Sequence, residues 1–142
     1  MSQPSRDGKP QARSPVITVE VSPGELIDKI TILEIKLARI RDAAQLENIR
    51  TELALLSSCR HGAILPSAEL DRLTAELKSI NESLWEIEDE IRDCERRGDF
   101  GERFIELARS VYRHNDRRSA VKRQVNELLG SSLVEEKSYA AY

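Results

Sequence analysis

The sequence predicts an all-α protein, an antiparallel helical bundle in which a long helical hairpin carries two shorter helices. Three observations predict it. Charged residues make up 33% of the chain and aromatic residues only 4%, a composition that suits long solvated helices better than a sandwich or barrel. From Leu70 to Cys94 the apolar residues alternate at spacings of three and four without a miss, the rhythm of a helix packed at a shallow angle. Residues that cap helices stand ahead of the apolar runs, at Ser22, Asp42 and Ser67. A chain of 142 residues makes one domain and can bury a core without disulfides or a metal.

Residues 1–15 are rich in Ser, Pro, Gly and Gln and lack periodicity, so they read as a disordered leader; residues 16–142 form the single helical domain. "VITVEV", Val16 to Val21, is β-branched and extended. It predicts one short N-terminal strand that needs a partner, either the tail around Leu133 and Val134 or a second protomer. In "SPGELIDK", Ser22 is an N-cap, Pro23 takes the first helical position, and Glu25 closes a capping box. The first helix carries Leu26, Ile30, Leu33, Leu37 and Ile40. Asp42 with Gln45 opens a second, striped by Leu46, Ile49, Leu53 and Leu56 and ended by Gly62 and Pro66. Ser67 caps the third, "RRGDFG" turns the chain, and the fourth runs from about Glu102 to Leu129. At 1.5 Å per residue the third and fourth helices each reach roughly 40 Å. A tail, residues 130–142, follows; its Leu133, Val134, Tyr139 and Tyr142 predict that it docks.

The net charge of −3 hides two opposed runs. Glu76, Glu82, Glu86, Glu88, Asp89 and Glu90 stand against Lys78, whereas Arg109, Arg113, Arg117, Arg118, Lys122 and Arg123 stand against Asp116. Helices bearing these runs would attract when packed side by side, and the basic run lacks the helix-turn-helix or arm of a nucleic-acid reader. Cys59 and Cys94 are too few for a disulfide framework, and Cys94 falls on an apolar stripe. With no signal-peptide h-region and no apolar run long enough to span a bilayer, the expectation is a cytoplasmic protein without membrane insertion.

The fourth helix raises the functional question. Phe104, Leu107, Val111, Val121, Val125 and Leu128 mark its buried side, yet the same line passes through His114 and Arg118, with Asn115 and Lys122 beside it. A half-buried arginine needs an anionic partner. Glu88 on the third helix and Asp28 and Glu34 on the first are the protein candidates, which would make an internal ion-pair layer that sets the hairpin register. Otherwise Asn115, Arg118 and Lys122 form an anion pocket for a phosphorylated small molecule. Trp85 or Tyr112 would then supply a stacking surface beside Glu88, and the tail a flap bringing Lys137 and Tyr139.

Two E-x-x-D pairs, Glu25 with Asp28 and Glu86 with Asp89, resemble those of all-α nucleoside triphosphate pyrophosphohydrolases. That resemblance implies Mg²⁺ held by carboxylates of adjacent helices. Against it, Glu25 is explained by capping, while Glu86 and Asp89 point roughly away from the core, as a solvated face does. No other cofactor is indicated. Cys59, His61, Cys94 and His114 lack zinc spacing, and no glycine-rich phosphate loop follows a strand.

"VSPGELIDKITILEIK" (Val21 to Lys36), "LWEIEDEI", "VYRHNDRR" and "EEKSY" (Glu135 to Tyr139) together resemble a short bacterial family known only as a domain of unknown function. The resemblance spans about residues 16–139 and brings no active-site residues. It suggests an association with glycosyltransferases and surface-polysaccharide assembly. The expected function is a non-enzymatic interaction or accessory module that self-associates or binds another protein. The alternative is a Mg²⁺-dependent nucleotide or nucleotide-sugar pyrophosphohydrolase or phosphate-ligand binder.

Overall fold

The computed structural model describes residues 15–138, 140 and 141. The expected leader, apart from Pro15, falls outside them, as do Tyr139 and Tyr142. Four helices follow in chain order: α1 (Pro23–Arg39), α2 (Ala43–Ala63), α3 (Ala68–Arg97) and α4 (Glu102–Leu128). The first three begin where the caps stand. Ser22 Oγ accepts from the Glu25 amide, Asp42 from that of Gln45, and Ser67 Oγ from that of Leu70. Gly98 and Gly130 take φ of 66° and 65° after α3 and α4, a left-handed conformation that side chains with a Cβ resist.

α3 and α4 form the antiparallel hairpin, α1 packs against all three other helices, and α2 packs on α1. α1 runs antiparallel to α4, with Gly24 beside Lys122 and Asn126 and Asp28 beside Arg118. The core lies where three helices meet: Ile27 of α1, Leu70, Leu73, Leu77 and Ile80 of α3, and Val121 and Val125 of α4. α2 fully buries Ile49, with Leu46, Leu53 and Leu56 half-buried, because its apolar stripe faces one neighbour. With 30 residues α3 outreaches the 17 of α1, by about 20 Å at 1.5 Å per residue. The far end of the hairpin is therefore a two-helix structure in which Ile87 and Ile91 stay half-buried.

Two expectations need revision. Val16 to Val21 forms neither strand nor helix among the described residues; it is exposed. Among the described residues no backbone bond joins the tail to it, and Ser131 Oγ bonds instead to the amide and carbonyl of Leu133 in a local turn. Among the described residues no ion pair joins the opposed charge runs across the hairpin; Glu90 pairs with Arg103, which lies outside the basic run. Arg118 and Lys122 turn instead toward α1 and the tail.

Candidate functional site

The polar centre of α4 faces the start of α1. Arg118 donates to Asp28 through both arms of its fork, Nε to Oδ1 at 2.9 Å and Nη2 to Oδ2 at 2.5 Å. Such bidentate geometry is the strongest pairing these groups make. Asp28 is 1% exposed and receives a third bond from Asn81 Nδ2 at 2.9 Å; Asn81 also donates to Thr31 Oγ1, which donates to the Asp28 carbonyl. The hydrogen bond from Arg118 to Asp28 holds the guanidinium pKa above its ordinary value against the opposing effect of burial.

One turn along α4, Lys122 Nζ lies 2.7 Å from Glu25 Oε2 and 2.7 Å from Glu135 Oε2. It thereby ties the first turn of α1 and the tail to α4. A further turn on, Asn126 Oδ1 accepts the Gly24 amide at 2.7 Å, one of the α1 donors that have no partner within the helix. Burial disfavours the charge on Lys122, but hydrogen bonds to Glu135 and Glu25 outweigh it and hold the ammonium pKa above its ordinary value. A raised folded pKa gives stability that is complete below about pH 10.4, the unfolded value, and is lost as pH rises through the folded value. The urea midpoint of wild type should therefore exceed that of Lys122→Met at pH 8, and the gap should shrink above about pH 10.4 as Lys122 deprotonates. A gap unchanged up to the alkaline limit of folding would contradict the pairing.

Two clefts flank this centre. The first, of about 510 Å³, has Ile32, Ile35, Leu84 and Trp85 on its walls and Glu88, Asp89, Arg92, Asn115 and Arg118 as its polar groups. The second, of about 990 Å³, lies between α4 and the tail, where Val111, Tyr112, Asn115 and Asp116 face Lys137, Ala140 and Ala141. Of the residues expected at an anion pocket, Trp85, Glu88, Asn115 and Arg118 thus share the first cleft, and Tyr112, Asn115 and Lys137 the second. Lys122 lines neither. It is buried between its two carboxylates, and Tyr139 is outside the described residues.

Glu88 is not the partner of Arg118; it is exposed and lies 3.9 Å from Arg92 of its own helix. The four carboxylates of the E-x-x-D pairs are dispersed: Glu25 on Lys122, Asp28 on Arg118, Glu86 on Arg39, and Asp89 at the first cleft. Among the described residues no group of three or more His, Cys, Asp or Glu is arranged to hold a metal ion. Every buried side-chain nitrogen and oxygen there has a hydrogen-bond partner.

Sequence reasoning did not single out Thr31, Asn126 or Glu135 for this network. A signal for Asn126 existed, since His114, Arg118, Lys122 and Asn126 recur every four residues along one side of α4. His114 closes the series locally, its Nδ1 2.8 Å from the Ser110 carbonyl.

A family model described as a family of unknown function (DUF6165) matches residues 17–142. No curated protein and no solved structure matches the chain. Among the described residues no helix is long and apolar enough to cross a membrane.

Proposed function

We propose that this chain, which belongs to the DUF6165 family of unknown function, is a non-enzymatic interaction module whose first cleft receives a segment of a partner protein. One observation carries the reading. The two cations best placed to hold a substrate phosphate are already neutralised within the chain, Arg118 by Asp28 and Lys122 by Glu25 and Glu135. What the cleft offers instead is an apolar wall of Ile32, Ile35, Leu84 and Trp85 beside a rim of mixed charge. Buried anchors at protein interfaces use such a combination: an aromatic surface for one apolar side chain, and a rim that fixes its orientation.

The alternative is a phosphate-ligand site, with Mg²⁺ under its pyrophosphohydrolase form. It is favoured by the Arg118 side chain keeping 29% of its surface exposed while lining the same cleft as Trp85 and Asn115. Trp85 is the only tryptophan, so its fluorescence reports on that cleft. Titration with nucleotides, nucleotide sugars and sugar phosphates, with and without Mg²⁺, should leave both its emission and the melting temperature unchanged. A ligand at a hundred times its dissociation constant adds about 2.7 kcal/mol, a plainly visible shift. A selective, saturable response would replace the interaction reading with the phosphate-ligand one.

A further inference from the structure

We infer that Val16 to Val21 is a dimerisation arm that pairs antiparallel with the same segment of a second copy, centred on Val19. This surface is separate from the first cleft, and neither reading depends on the other. The segment belongs to no helix, and among the described residues none of its backbone groups bonds to another part of the chain. Its odd-numbered residues are apolar and uncovered: Ile17 is 82% exposed, Val19 67% and Val21 43%. A run of β-branched residues with alternate apolar positions and unpaired backbone is half of a ribbon. The described residues offer no strand edge to complete it.

The pattern selects the partner and the register. With Val19 opposite Val19, Ile17 meets Val21 of the other copy, and all six odd-numbered side chains share one apolar face. Thr18 then faces Glu20 on the other side, so no like charges are opposed. Moving the centre one residue toward α1 sets Glu20 against Glu20. Moving it one residue the other way sets Val21 against Pro15, which has no amide to donate, and Val16 against Glu20. Intermediate slips bring apolar and polar faces together. A segment that matches itself best about its own centre fits the two-fold symmetry of a closed dimer.

A ribbon of two strands is marginal in water and needs a surface for its apolar face. The bundle supplies one at the root of the arm. Gly24 lies on Asn126, and Glu25 and Glu135 meet at Lys122, so the arm, the end of α4 and the tail share one end of the molecule. Leu128, Leu133 and Val134 are exposed at that end; with Ile17, Val19 and Val21 of the apolar face they make six of the twelve exposed large apolar residues described. A patch gathered this way marks an association surface.

The test uses the full chain. Light scattering at high micromolar concentration should give a dimer for wild type and a monomer for Val19→Asp, which sets two carboxylates face to face, with the helical circular dichroism of both alike. In a Cys59→Ser background, which removes the exposed native thiol, Val19→Cys should oxidise to a covalent dimer and Thr18→Cys should not, because its counterpart is displaced along the ribbon. A monomeric wild type would overturn the proposal, as would a dimer that survives Val19→Asp. Equal crosslinking at positions 18 and 19 would overturn the register.

Discussion

Arg118→Ala should cost about 3–5 kcal/mol of folding stability, the range seen when one member of a buried ion pair is removed. The reason is what remains. Asp28 is 1% exposed, and without Arg118 its carboxylate keeps only the Asn81 amide as a side-chain donor. The reverse change, Asp28→Ala, should cost less, about 1–3 kcal/mol, in the range for a polar group left unsatisfied. Arg118 keeps 29% of its side chain exposed and can rehydrate through the first cleft, while Asn81 retains Thr31 as a partner. Urea denaturation of both variants checks the order, and a larger loss for Asp28→Ala would contradict it. Replacing both, as Asp28→Leu with Arg118→Met, should recover most of the loss, because the desolvation cost of the charges goes with them. A double-mutant cycle between Arg118 and Glu88 should be additive within about 0.5 kcal/mol, since Glu88 belongs to a different, exposed pair.

Gly24→Ala should also destabilise, against the trend of helix propensity. By propensity alone alanine is better in a helix interior by about 1 kcal/mol. Here a Cβ would stand 2.5 Å from the Lys122 carbonyl oxygen and 2.9 Å from Asn126 Oδ1. The nearer atom is backbone and cannot swing aside, so α1 must move off α4 and weaken the Asn126 cap and the Lys122 pairs together. An overpacking cost of about 1–3 kcal/mol is expected. For a chain of this size that lowers the melting temperature by about 2–4 °C per kcal/mol. Asn126→Ala tests the cap separately: it leaves the Gly24 amide unpartnered and should cost about 1 kcal/mol, the usual loss for an N-terminal cap. A melting temperature raised by Gly24→Ala would show that α1 is not seated this tightly.

These effects explain why the centre of α4 is polar. Arg118, Lys122 and Asn126, one turn apart, take hold of three successive features of α1: the buried Asp28, the first-turn Glu25 and the unpaired amide of Gly24. Together they set how far along the hairpin the short helix sits. Glu135 adds the tail to the same clamp. The quoted motifs "VSPGELIDK" and "EEKSY" thus meet at Lys122, although more than a hundred residues separate Glu25 from Glu135.

By itself the sequence determined the helices, because their signals are local: caps at Ser22, Asp42 and Ser67, an unbroken apolar stripe from Leu70 to Cys94, and glycines after the last turns. It also marked Arg118 as needing an anion and placed Trp85, Glu88 and Asn115 among its possible companions. Only the tertiary structure decided which anion. Glu88, Asp28 and Glu34 all lay on faces compatible with pairing, and periodicity fixes the face of a residue but neither the rotation nor the slide of one helix against the next. The seat of Gly24 on α4 sets that slide. It sends Arg118 to Asp28, draws Lys122 out of the clefts and between two carboxylates, and leaves Trp85 and Glu88 on an open wall.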